Sequence, residues 1–262
     1  MTLSIRRSLM LAASATALAL GGCVGSQSGP VASAVPAPAP ASGDSGAGAS
    51  LGPAGDFSTM YGEAKDGKFT VPAVKQADLQ PAFRRARVAY SGKEAPGTVV
   101  IDPAAHYLYL VEQGGTAMRY GVGVGREGFA WSGDATINSK QEWPDWYPPK
   151  EMLDRRPELT KQMAQLQSGL GMAGGPSNPL GARAHYLYQG NKDTLYRIHG
   201  TNEPWTIGQS VSSGCIRMVN QDVMDLYNRT HIGSKVVVLG SAQPTPVKVA
   251  AAASPAPATT TR

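Results

Sequence analysis

From Thr98 to Leu239 the chain is a series of short β-branched and aromatic runs cut by glycine and proline. Thr98-Val99-Val100-Ile101 is followed by the turn Asp102-Pro103-Ala104-Ala105. His106 to Val111 then alternates aromatic and aliphatic residues, so the pair reads as a β-hairpin. Gln113-Gly114-Gly115 marks the next turn and Met118 to Val124 the next strand. Val122-Gly123-Val124-Gly125 superficially suggests a phosphate loop, but no helix follows it, and it reads as a strand ending in a glycine turn. Strands resume at Ala184–Tyr188 and Thr194–His199, and Lys235–Leu239 is a last buried one. Two pieces read as helix. Lys150 to Gln167 has helical composition with Gly169 as its stop. Asn220 to Tyr227 has Asn220 as cap, Asp222 in the first turn, and Val223, Leu226 and Tyr227 on one face. Many strands and little helix predict a mainly β sandwich or barrel.

The ends have a different character. Arg6 and Arg7 precede an apolar run from Leu9 to Leu20, which closes on Leu20-Gly21-Gly22-Cys23. The run is too short to span a bilayer and reads as an export signal, residues 1–22. Its Cys-terminated end resembles a bacterial lipoprotein signal, with Cys23 the lipidated residue. An ordinary secretory signal with a chance cysteine is the alternative. Val24, which is not acidic, favours the outer membrane by analogy with enterobacterial sorting. Residues 23–55 are Ala, Gly, Pro and Ser with almost no charge, a composition that cannot bury enough surface to fold. Residues 241–262 read likewise as a disordered tail, and residues 56–95 as an extension or arm. The net charge of +5 includes no dense Lys/Arg run, which argues against nucleic acid as a partner.

Of two cysteines, Cys23 and Cys215, the second is left unpaired if lipid occupies the first. An inert buried thiol, or a Cys23–Cys215 disulfide, would be the unreactive outcomes. The surroundings favour chemistry: Tyr196-Arg197-Ile198-His199-Gly200-Thr201-Asn202, then Ser212-Ser213-Gly214-Cys215-Ile216-Arg217-Met218. A thiol attacks as thiolate and needs a base, and histidine serves near neutral pH. His199 closes a strand and Cys215 follows a loop, so the chain can double back and set one against the other. No Asp or Asn stands ready to orient His199, so a carbonyl near Gly200 or Thr201 is the expected orienting group. Ser213 and Gly214 are candidate oxyanion donors. Arg217, two residues beyond Cys215 in a strand, would share its face and hold a substrate carboxylate, or else form an ordinary salt bridge.

This multi-part pattern, with Asn178-Pro179-Leu180-Gly181 and the closing Val236-Val237-Val238-Leu239, resembles the L,D-transpeptidase family, also called the YkuD domain, over about Pro96 to Gly240. One departure is Ser213, where many members carry a second histidine before the Gly-Cys pair. The resemblance implies a catalytic domain at 96–240 with a β-sandwich fold and a short helix after Cys215, while the Trp/Pro-rich 141–180 segment reads from its residues as a possible lid over the site or just an insertion. It implies Cys215 as nucleophile and His199 as base. It also implies Ser212, Thr201, Asn202 and Arg217 along the substrate path, and no metal or cofactor. The substrate would be the peptidoglycan tetrapeptide stem. The acceptor would be another stem or an envelope protein, and carbapenems would acylate the same thiol. Hydrolysis by the same Cys–His pair, and a wall-binding role without catalysis, are the other expectations. His106, His185 and His231 read as framework or surface residues, with His185 a minor candidate for the site because its strand neighbours that of His199.

Overall fold

The computed structural model describes residues 55–125, 131–212 and 214–240. The expectations for Cys23, for the leader and linker up to residue 54, for Ser213 and for the C-terminal tail lie outside them.

The N-terminal segment holds helix α1 (Phe57–Tyr61), a hairpin of β1 (Ala64–Asp66) and β2 (Phe69–Val71), and strand β3 (Ala86–Ala89). The main body continues with β4 (Val99–Asp102), β5 (Tyr107–Glu112), β6 (Thr116–Gly121), β7 (Val124–Gly125) and β8 (Gly133–Glu142). After α2 (Lys150–Arg155) comes a small hairpin of β9 (Ala164–Leu166) and β10 (Gly169–Gly171). Then follow β11 (Arg183–Gln189), β12 (Lys192–His199), β13 (Ser210–Ser212), β14 (Ile216–Arg217), α3 (Asn220–Arg229) and β15 (Lys235–Val238). Nine strands form one sheet in the order β14-β12-β11-β8-β15-β4-β5-β6-β3. Gly123, just past β6, exchanges both backbone hydrogen bonds with Arg217 of β14, at 2.9 and 2.8 Å, so the curled sheet meets itself. This is the mainly β architecture expected from the strand pattern.

The period-two alternation explains the core. In β4, Val99 and Ile101 join the inner cluster while Val100 joins an outer one. In β5, Leu108 and Leu110 point inward and Tyr107, Tyr109 and Val111 outward. A strand apolar on both faces needs two covers. Val223 and Leu226 of α3 fill the inside. The outside is covered by the N-terminal segment: Phe83 packs on Tyr107 at 5.5 Å between ring centres, and the Tyr107 hydroxyl donates to the Ala82 carbonyl at 3.1 Å. Residues 56–95 are thus no free arm, since β3 also pairs with β6 in the main sheet. A buried polar knot ties the segment to α3. The Tyr61 hydroxyl accepts from Arg85 N–H at 2.6 Å and donates to Asp222 at 3.2 Å, while Arg85 reaches Asp225 at 3.1 Å. Burial raises Asp222 to about 7 against the pull of Arg85.

The helix expected over Lys150–Gln167 is not formed. Helix α2 ends at Arg155, a 3-10 turn covers Pro157–Gln162, and the β9–β10 hairpin takes the remainder. Pro157 is the cause: it lacks an N–H and pushes the residue before it, Arg156 (φ −136°), out of the helical region. Gly169, at φ +122°, follows the hairpin turn and begins β10.

The β1–β2 hairpin is clamped to this Trp/Pro-rich segment and to β11. Asp66 accepts both ends of the Arg183 guanidinium, at 2.6 and 2.9 Å, and the Trp143 indole N–H at 2.7 Å. Arg183 is 7% exposed, and with Glu142 farther off at 3.8 Å its charge rests mainly on that carboxylate. Replacing Asp66 by Ala strands this charge and is expected to cost about 2–3 kcal/mol in urea unfolding. Lys150→Ala, which removes an exposed pair with Asp154, should cost under about 0.5 kcal/mol. Equal effects would contradict this reading of the clamp.

Candidate active site

The site grows from a fault in β12. Leu195 adopts φ +63°, and the register with β11 shifts there. The broken ladder is patched by side chains: Asp193 accepts Leu195 N–H at 2.8 Å, and the Thr194 hydroxyl accepts Tyr196 N–H at 3.1 Å and donates to the Leu187 carbonyl at 2.6 Å. Beyond the fault β12 straightens and pairs in parallel with β14, Ile198 beside Ile216 and His199 beside Arg217. Ile198 and Ile216 belong to the inner core. Alternation therefore puts His199 and Arg217 on the other face, with Arg197 and Cys215 two residues before them. The Cys215 sulfur lies 4.0 Å from the Leu195 carbonyl, and the backbone N–H of Arg197 points at it.

Cys215 is a free, half-buried thiol. Burial pushes its pKa up, and the Arg197 amide and the charges of Arg197 and Arg217 only partly offset this. His199 is 5% exposed, and burial brings it down to about 4. Its Nδ1 is 2.6 Å from the Gly200 carbonyl. A carbonyl only accepts, so Nδ1 carries the proton and Nε2 presents a lone pair. The expectation that a local carbonyl would orient this ring holds at Gly200. Burial thus favours the neutral form of both the thiol and the imidazole.

The loop before Cys215 is built by Ser212 and glycine. The Ser212 hydroxyl donates to the Cys215 carbonyl at 2.6 Å and accepts Gly214 N–H at 3.2 Å. Gly214 stands at φ +121°, where a Cβ would lie 2.9 Å from the Tyr196 ring. Gly123 and Gly125 are required by close backbone approach: a Cβ would lie 2.7 Å from the Thr206 carbonyl in the first case and 2.7 Å from Gly214 Cα in the second. The spacing Gly123-Val124-Gly125-Arg126-Glu127-Gly128 matches G-x-G-x-x-G letter for letter. Here, however, Gly123 pairs with β14, and β7 lies along β13. These two glycines serve strand contact.

Ser212 and Gly214 thus adjoin Cys215, Gly200 meets His199, and the charge of Arg217 acts on both. The Gly214 amide, a candidate oxyanion donor, is engaged by Ser212. Arg217 donates to Glu203 at 2.9 Å. Thr201 and Asn202, expected on the substrate path, serve the loop: Thr201 Oγ1 accepts Glu203 N–H at 3.0 Å, and Asn202 donates to the Ser177 carbonyl at 3.0 Å. Asn178 is buried, and its amide reaches the carbonyls of Pro144, Met172 and Ala173. His185 pairs with Ile198, one register step from His199, and so points to the opposite face, against Thr230 and Tyr227. Burial lowers it to about 3.

Two features escaped sequence reasoning. Arg197 is held bidentate by Asp193, both contacts at 2.9 Å, and lies 4.5 Å over the Tyr186 ring. Counting back two from His199 would have found it. Trp131 stacks on Tyr196 at 5.5 Å, a contact no local pattern announces. Among the described residues no three His, Cys, Asp or Glu side chains cluster as metal ligands, and no helix is long and apolar enough to cross a membrane.

Comparison with known proteins follows this geometry. The family model for the YkuD L,D-transpeptidase catalytic domain matches residues 96–238. The probable L,D-transpeptidase ErfK/SrfK of Escherichia coli (strain K12) is 32% identical over 145 residues, 55% of this chain and 44% of that one. The probable L,D-transpeptidase YcfS of the same strain is 32% identical over 164 residues, 58% of this chain and 46% of that one. The chain therefore spans less than half the length of these relatives. A solved structure from Brucella melitensis, named a probable carnitine operon oxidoreductase caia, is 53% identical and covers 63% of this chain and 99% of its own, with a TM-score of 0.40. Since the family model covers more than half of the sequence, this chain belongs to the YkuD family of L,D-transpeptidase catalytic domains.

Proposed function

We propose that this chain is a peptidoglycan L,D-transpeptidase working through a thioester on Cys215, with residues 96–240 as its catalytic domain. One observation carries the reading. In the β12–β14 register His199, whose Nδ1 meets the Gly200 carbonyl, lies beside Arg217, two residues beyond the half-buried thiol.

The chemistry follows from the neutral resting pair. As sulfur attacks the carbonyl of the third residue of a tetrapeptide stem, its proton passes to His199 Nε2. The Gly200 carbonyl supports the imidazolium that forms. Negative charge develops on the substrate oxygen in the field of Arg197 and Arg217, inside a site where such charges act strongly. His199 then gives the proton to the departing amine of the terminal D-Ala, leaving an acyl-thioester. An incoming amine loses its proton to the same Nε2, expels the thiolate and forms the new amide. The acceptor is another stem, giving a 3–3 cross-link, or an envelope protein. The Trp/Pro-rich 141–180 segment serves as lid over the peptide cleft. Export, a lipid on Cys23 and the Ala/Gly/Pro/Ser-rich tether of residues 23–55 would set the domain at the periplasmic face of the envelope, on the outer membrane.

Purified wall fragments incubated with the full chain should yield new dimers by mass analysis. Trimmed monomers alone would mean water resolves the thioester, and the hydrolase reading would replace this one. Cys215→Ala should abolish either product, and His199→Gln should slow acylation roughly 10²–10⁴-fold. Because His199 lies near 4, below its ordinary 6.5, its base form survives acidification. Acylation should keep most of its rate down to about pH 5 and fall below that. An acid limb centred near 6.5 would contradict the assignment.

A further inference from the structure

We infer that Asn220 is a positioning residue for His199, acting through the backbone of residues 199–201. This rests on the acyl-transfer reading of Cys215 and His199. The sequence suggested Asn220 as the cap of α3, whose side chain would accept from an N–H of its own helix. Instead Val219 precedes the helix, and no side chain caps it. The Asn220 carboxamide leaves its helix altogether. Its Oδ1 accepts Ala182 N–H at 2.9 Å, and its Nδ2 donates to the Thr201 carbonyl at 3.1 Å.

The fit is close. A Cβ built on Gly200 or on Gly181 would stand 2.2 Å from Asn220 Oδ1, so the amide fills the space both glycines leave. Three consecutive carbonyls each receive a different donor. Met218 N–H reaches His199 O at 2.8 Å, His199 Nδ1 reaches Gly200 O at 2.6 Å, and Asn220 Nδ2 reaches Thr201 O at 3.1 Å. Gly200 N–H goes to the Arg183 carbonyl at 3.0 Å. A glycine left to itself rotates easily. To withdraw its carbonyl from His199, Gly200 must turn the peptide that leads to Thr201. Asn220 resists that turn by fixing the residues on either side of it: Oδ1 packs where a Gly200 Cβ would stand, and Nδ2 holds the Thr201 carbonyl. Asn220 thereby holds the carbonyl that keeps the proton on Nδ1. Without it the imidazole can take the Nε2–H form, which cannot accept a proton from sulfur.

The test uses the full chain with ¹⁵N-labelled histidine, as wild type, Asn220→Ala and Asn220→Asp. Ring ¹⁵N spectra report the His199 tautomer, with His185 as internal reference for intact folding. Saturation kinetics with a carbapenem report acylation of Cys215. Wild type should show a single Nδ1–H form. Asn220→Ala should show mixed tautomers at His199 alone. Its limiting acylation rate should fall about 10–100-fold, while the half-saturating concentration moves less than about twofold. A wild-type tautomer and limiting rate in folded Asn220→Ala would overturn the inference. If that variant does not fold, Asn220→Asp decides by the same spectra, since it keeps the acceptor for Ala182 and loses the donor to Thr201. The ring spectra still decide it if wild-type Cys215 resists acylation, an outcome that sinks the acyl-transfer reading alone.

Discussion

The site depends on a parallel ladder only two residues long, Ile198 with Ile216 and His199 with Arg217. So short a ladder has little strength of its own, and a slip of one residue would exchange the faces of both strands. What pins it is burial on one side and backbone pairing on the other. Ile198 and Ile216 lie in the inner core. Gly123 occupies the far edge of β14. Met218 N–H closes the end on the His199 carbonyl. The curvature that brings the β6 end of the sheet round to β14 is therefore a condition for the site, because it gives β14 its second neighbour.

Burial sets the chemistry that this frame permits. Both groups lie in low dielectric, which disfavours charge on either, so the pair rests as thiol and imidazole. Two arginines stand close, but Asp193 holds one and Glu203 the other. Their fields are thus damped at rest. This arrangement differs from a preformed ion pair. In the proposed reaction the proton moves as the bond to carbon forms, and His199 needs a fixed lone pair more than a high basicity. A thiol kept protonated is also a poor target for oxidants, which suits a lone nucleophile in the exported setting proposed here.

Much of this was legible in the sequence because strands announce themselves by alternation. Val99-Val100-Ile101 and Tyr107-Leu108-Tyr109-Leu110 each predicted a strand. That both are apolar at every position, and so need two covers, went unread, as did the supply of one cover by residues 81–90. His199 and Cys215 were singled out from residue chemistry and neighbours, and their roles are those proposed above. The failures have physical causes. Composition favoured a helix over Lys150–Gln167, yet the single residue Pro157 cut it short. Asn220 sat where a cap belongs, and only the fold brings Gly181 and Gly200 to its side chain. The glycines at 121–125 were read as a strand ending in a turn, and Gly123 and Gly125 answer to strands that are distant in sequence. Arg197 was hidden in plain alternation, because it touches neither motif residue along the chain.

The account stands on a reactive sulfur served by the His199 lone pair at the edge of β14. Intact mass of the full chain after exposure to a carbapenem tests that most directly. One covalent adduct is predicted, mapping to Cys215 and forming far more slowly in His199→Gln. A Cys215 that stays unmodified, or that reacts equally well without the imidazole, would contradict it.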